Sequence, residues 1–147
     1  IEEKDLTPEK IAACMNQLYM NGSVTLVNDT VTWYKTYLDY ATKNGIVTKI
    51  YSDYNAAITR SEFVAIFYAA LPASEYAQIN PLSDNKIPDV KLPAANSAQI
   101  YTFYRAGILI GSDGNYFYPN NNIKRSEVAA ILTRMFEKDA RQSVTLS

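Results

Sequence analysis

Ile58-Thr59-Arg60-Ser61-Glu62 opens one apolar helical pattern, and Ile123-Lys124-Arg125-Ser126-Glu127 opens another. Near the start of the chain Leu6-Thr7-Pro8-Glu9-Lys10 opens a third, in which the arginine is missing. Behind each opening, apolar residues recur at i, i+3, i+4 and i+7: Ile11/Cys14/Met15/Leu18, Phe63/Ile66/Phe67/Ala70 and Val128/Ile131/Leu132/Met135. That spacing puts each set on one face of a helix. From Thr7 to Thr59 is 52 residues and from Thr59 to Lys124 is 65, a period that points to supersecondary units sharing a core. The chain reads as an all-α repeat protein whose three apolar faces converge.

Much of the repeated motif is ordinary helix-start chemistry. Thr59 with Glu62 reads as a capping box, the hydroxyl accepting from the third helical amide and the carboxylate returning to the cap amide. Ile58/Phe63, Leu6/Ile11 and Ile123/Val128 stand at the two positions of a hydrophobic staple, and Pro8 occupies a first helical position that needs no N–H. The arginine is not explained this way. A cation in the first turn opposes the helix macrodipole by roughly 0.3–1 kcal/mol. Arg60 and Arg125 therefore call for an acidic partner, either a carboxylate from a neighbouring repeat or an anionic ligand.

Composition excludes several classes. With 147 residues the chain has one domain's worth of sequence and can bury a core. A net charge of −1 gives no basic stripe for nucleic acid. The apolar runs are too short to cross a bilayer. The chain opens half a repeat in and reads as a piece of a longer protein, so the lack of a leader before Ile1 says nothing about destination. The single cysteine, Cys14, allows no internal disulfide and sits on an apolar face. There is no histidine, which removes the Ser-His-Asp and Cys-His arrangements and the commonest metal ligand. No cofactor is implied, and an enzyme is not expected. Tyrosine is in excess, 12 residues against five phenylalanines and one tryptophan; it suits half-exposed groove walls and equally a modest core with wet edges.

A further helix precedes each arginine turn. Residues about 32–44 carry Trp33, Tyr34, Tyr37, Leu38 and Ala41 and stop at Asn44-Gly45; residues about 95–106 carry Ile100, Phe103 and Tyr104 and stop at Gly107. Both continue with Gly-Ile, at Gly45-Ile46 and Gly107-Ile108. In the later unit the interhelical loop runs Gly111-Ser112-Asp113-Gly114-Asn115-Tyr116-Phe117-Tyr118-Pro119, a turn with glycines at its bends. The spacing divides the chain into 1–22, the closing helix of a truncated repeat; 23–71, a second repeat; 72–86, a proline-bearing connector; and 87–147, a third repeat with a C-terminal tail, all within one structural domain.

These residues resemble the S-layer homology repeat of bacterial cell-surface proteins. The likeness is closest over 87–136: Ile87-Pro88-Asp89-Val90, Ala106-Gly107-Ile108, Gly111, Asp113-Gly114, Phe117, Pro119, then Ile123-Lys124-Arg125-Ser126-Glu127 and its apolar helix. Lys124 replaces the family's usual threonine. Residues about 27–71 match more loosely, through Trp33, Gly45-Ile46 and Ile58-Thr59-Arg60-Ser61-Glu62.

The resemblance implies tandem helix-loop-helix repeats packed about a pseudo-threefold axis. It also implies a secreted, cell-surface module that binds secondary cell-wall polysaccharide non-covalently, often through a pyruvylated sugar, and attaches a larger surface protein. By position Arg60 and Arg125 inherit the ligand-contacting or groove-organising role. A ketal-linked pyruvate carries a carboxylate, which suits a guanidinium fork beside helix N-terminal amides. Gly111 matches the glycine that keeps a groove open to backbone approach. Trp33 matches an aromatic near the start of the first helix, with a core role as its alternative. Lys49 stands where the earlier unit would have the equivalent of Gly111, and either blocks that groove or gives it an extra cation. Ala95 stands in place of Trp33 in the later unit. At most two grooves are expected to be competent.

Other motifs are weaker. Asp113-Gly114-Asn115 has no closing carboxylate for an EF-hand and reads as a turn. Asn21-Gly22-Ser23 and Asn28-Asp29-Thr30 fit the glycosylation acceptor pattern. Asp29, Asp53, Asp84 and Asp89 show no pairing for glycoside hydrolysis. The alternative to a wall anchor is a degenerate repeat domain serving as a spacer or a protein-protein contact. The direction in which Arg60 and Arg125 point discriminates the two.

Overall fold

The computed structural model describes residues 32–146. The helix read over 11–18, Cys14 and both glycosylation-type sequences begin outside them. The chain divides between Ile50 and Tyr51 into two compact units, each described by itself. The repeat read over 23–71 has its first helix in the earlier unit and its second in the later one. The described residues form four α-helices and no strand: α1 (Lys35–Lys43), α2 (Arg60–Ala69), α3 (Ser97–Arg105) and α4 (Arg125–Phe136). The protein is all-α over this span.

In the earlier unit α1 starts after an exposed Trp33, whose ring meets Tyr34 edge-on at 5.6 Å. Tyr34, Tyr37, Leu38 and Ala41 are half-buried and none is fully enclosed. The helix ends where Asn44-Gly45 predicts. Gly45 takes φ +71°, and the Ile46 N–H returns to the Ala41 carbonyl at 2.8 Å. That is the paired C-terminal closure which a left-handed residue makes possible.

The later unit repeats the closure at α3. Gly107 takes φ +76° and the Ile108 N–H reaches the Phe103 carbonyl at 2.9 Å. A side chain at Gly107 would lie 2.6 Å from Ile79 and 2.7 Å from the Gln142 carbonyl, so the position is closed sterically as well. Ile100, Tyr101, Phe103 and Tyr104 of α3 are buried and form the centre of the unit. Helix α2 packs on α3. Phe63 and Val64 are its fully buried residues, while Ile66, Phe67 and Ala70 are half-buried. The buried stripe is thus rotated towards Val64, which the i, i+3, i+4 reading left out, because the face turned to α3 is enclosed more fully than the rest. On α4 Ile131 and Met135 are buried, with Val128 and Leu132 half-buried beside them.

Tyrosines close the ends of this core. Tyr76 stacks on Tyr68 at 5.1 Å and its hydroxyl lies 3.1 and 3.0 Å from the Phe67 and Tyr68 carbonyls in the last turn of α2, where carbonyls lack the usual helical partner four residues on. Tyr101 accepts the Ile87 N–H at 3.0 Å and donates to the Val90 carbonyl at 2.9 Å, fixing the segment 87–90 on α3. The tail is fastened by buried Asn80. Its amide donates to the Tyr104 and Gln142 carbonyls, both at 3.0 Å, and its oxygen accepts the Val144 N–H at 2.9 Å.

Candidate ligand-binding site

The two arginine turns of the later unit are built alike and end up in different surroundings. Thr59 caps α2 as predicted, accepting the Glu62 N–H at 3.1 Å. At α4 the cap is Lys124, whose ammonium has no lone pair to accept with. Only the return half of a capping box forms there, the Lys124 N–H donating to the Glu127 carboxylate at 3.3 Å.

The remaining donors of the α2 start are taken by the segment 117–121. The Arg60 N–H donates to the Asn121 carbonyl at 2.8 Å and the Ser61 N–H to the Pro119 carbonyl at 3.0 Å. An isolated antiparallel bridge joins Thr59 and Asn122, with the Ile123 N–H on the Ile58 carbonyl at 3.2 Å. With these bonds and the Thr59 cap, the first three amides of α2 are occupied. They are not available to an anion.

Arg60 is occupied too. Its guanidinium forms an ion pair with Glu127 and its Nε donates to the Phe117 carbonyl at 2.8 Å; the group lies over the Phe117 ring, 4.9 Å from the centroid. The Arg60 side chain is 13% exposed and that of Glu127 38%. Glu127 is the acidic partner the macrodipole argument calls for, and it comes from the next copy of the same motif. Arg125 lies differently. As the first residue of α4 it is exposed, between exposed Lys124 and exposed Ser126.

Behind Arg60 stand Tyr104 and Gly111. Gly111 takes φ +79°, and a Cβ there would touch the Tyr104 hydroxyl at 3.4 Å. The ring of Tyr104 is fully buried against Phe117, and its hydroxyl has no hydrogen-bond partner among the described residues. Burial pushes this phenol well above its ordinary value; Arg60 opposes the shift, and Asp89 and Tyr101 add to it. Asp89 accepts the Phe117 N–H at 2.9 Å and the Tyr118 N–H at 2.8 Å, so one carboxylate holds the loop that covers Arg60.

The structure therefore gathers Arg60 and Gly111 around Tyr104 and Phe117 and leaves Arg125 on the surface. Trp33 and Lys49 lie in the earlier unit, both exposed. Sequence reasoning did not assign Glu127, Tyr104 or Asp89 to this site. Glu127 had a signal, since neighbouring copies of one motif are natural partners in an array. The roles of Tyr104 and Asp89 depend on long-range packing. Among the described residues no group of three or more His, Cys, Asp or Glu side chains could hold a metal ion, and no helix is long and apolar enough to cross a membrane.

Comparison with known proteins bears on the same residues. Residues 93–129 match the S-layer homology domain. An amylopullulanase of Thermoanaerobacterium thermosulfurigenes is 35% identical over 83 residues, which is 56% of this chain and 4% of that protein. The chain thus spans a small fraction of the curated relative it matches. No solved structure matches. The matched stretch holds α3, the loop that packs on Arg60 and the exposed arginine turn of α4; it is similar to the S-layer homology domain, a kind of module that generally anchors proteins to the cell wall.

Proposed function

We propose that this domain holds a larger surface protein on the bacterial wall by binding secondary cell-wall polysaccharide, with a pyruvylated sugar as the group recognised at the Arg125 turn. The observation that carries this is the exposure of Arg125 at the start of α4, beside exposed Lys124. Two cations at a helix start favour an anionic ligand there, and a guanidinium matches a carboxylate in a bidentate fork. Trp33 and Lys49 are proposed as contacts of the earlier unit, and Gly111 as the residue that keeps a groove open to backbone approach. Binding, rather than catalysis, is the role inferred for a chain without histidine.

A spacer role is the second reading, and Arg60 favours it. A guanidinium that is ion-paired and hydrogen-bonded inside its own unit supports an organising role in the fold. The wall reading needs only the Arg125 turn. Sedimentation of the domain with purified walls, before and after chemical removal of their secondary polymer, tests it. Retention by intact walls and release from stripped ones is the expected result. Equal retention by both favours a protein-protein contact, and retention by neither gives the spacer reading the lead.

A further inference from the structure

Loop 111–123 carries a feature that neither the arginine turns nor the core explains. Tyr116 and Tyr118 stack on each other, with ring centroids 5.7 Å apart and planes 24° from parallel, and both are exposed, at 42% and 46%. Tyr118 holds φ +59°, the left-handed region, which costs a bulky residue roughly 1–2 kcal/mol. It also precedes Pro119, where extended backbone is preferred. The conformation is fixed from both sides: Asp89 accepts the Tyr118 N–H at 2.8 Å, and the Tyr118 carbonyl accepts the Asn121 N–H at 3.2 Å. Ser112 Oγ donates to the Tyr116 carbonyl at 2.8 Å. At Gly114 a Cβ would come within 3.1 Å of the Tyr116 ring. Strain held in place by so many partners, with two rings facing water, is a reason to look for a function.

The geometry points to a stacking platform for one sugar ring of the wall polymer, formed by Tyr116 and Tyr118. This rests on the wall-binding reading and extends it to a contact away from the arginine. The occupant follows from size and chemistry. A tyrosine side chain buries about 150–250 Å² in full, so two rings a little under half exposed offer roughly 200 Å². A stable protein partner needs about 800 Å² from each side. The rings stand beside exposed Asn120, Asn121 and Asn122 and not within a broad apolar face. A pyranose presents a small apolar C–H face with a hydroxyl rim. Aromatic rings suit the face, and phenol and amide groups suit the rim. Tyrosine orders at low entropy cost, and here the backbone has already set its direction.

Substitution at Tyr118 separates the ring from the fold, because glycine removes the ring and relieves the left-handed strain together. For the whole chain, Tyr118→Gly is expected to keep or raise the denaturation midpoint while weakening retention on purified walls of the encoding bacterium about tenfold. Tyr118→Phe should bind close to the parent, and Tyr116→Ala should lose affinity as Tyr118→Gly does. If the parent binds and Tyr118→Gly binds equally well, the platform is refuted and the wall reading stands. If the parent does not bind walls at all, both fall. Binding that survives removal of the polymer but is lost on protease-treated walls would make the occupant a protein and overturn the sugar assignment.

Discussion

The carboxylate of Glu127 accepts both the guanidinium of Arg60 and the backbone N–H of Lys124. One side chain thus completes the start of its own helix and anchors the start of the preceding arginine helix. The acidic position of one motif copy serves the basic position of another.

Arg60→Ala should therefore act on stability. The guanidinium is mostly enclosed, but Glu127 keeps solvent access, so a fully buried ion pair is not the right comparison. Loss of the pair and of the bond to the Phe117 carbonyl is expected to cost about 1–3 kcal/mol in denaturant unfolding. Arg60→Lys should recover only part, because an ammonium cannot donate to Phe117 and Glu127 in the same fork. A midpoint unchanged by Arg60→Ala would show that the pair contributes nothing.

Arg125→Ala is expected to do the reverse. It should leave the midpoint nearly unchanged, since a cation removed from a helix start relieves a small macrodipole penalty. Wall affinity should fall by about 1.5–3 kcal/mol, the worth of a hydrogen bond to a charged group, and Arg125→Lys should not restore it fully. Destabilisation by several kcal/mol with binding intact would assign Arg125 to the scaffold.

Thr59→Ala removes the acceptor for the Glu62 N–H and should cost roughly 0.5–2 kcal/mol. Wall binding and unfolding are measured on the same variant. Lost binding at an unchanged midpoint would make Thr59 a ligand contact instead of a cap.

Tyr104→Phe tests the buried phenol. Taking away a hydroxyl that has no partner should leave stability equal or raise it by up to about 1–3 kcal/mol. The pH dependence has a definite sign. A phenol whose folded pKa lies above its unfolded value near 10 contributes stability that is fully present below about pH 10 and is lost as pH rises further. The parent should accordingly lose stability above about pH 10 more steeply than Tyr104→Phe. Parallel curves would mean that Tyr104 is not the group responsible.

What the sequence made legible was local. Thr59 and the Gly45-Ile46 and Gly107-Ile108 pairs marked helix ends because caps and left-handed exits are decided within five residues. The core stripe of α4 was readable from its period, whereas Val64 of α2 was not, because burial there depends on which neighbour the helix meets. The need of Arg60 for a carboxylate from a neighbouring repeat was legible; which carboxylate would fill it was not, since Glu127 lies 67 residues away. The left-handed Tyr118 runs against its own sequence, a bulky residue before proline, and only the Asp89 carboxylate across the fold makes it intelligible. Asn80 gave no signal either, its three backbone partners lying on α3 and the tail.

The first two amides of α2 find their acceptors at Asn121 and Pro119, far along the chain. Their exchange with solvent deuterium is consequently governed by the later loop, because they come free only when 117–121 lifts away. Arg60 and Ser61 should then share one opening rate with that loop, slower than fraying at an ordinary helix end. The start of this helix keeps time with a segment that the chain supplies more than fifty residues later.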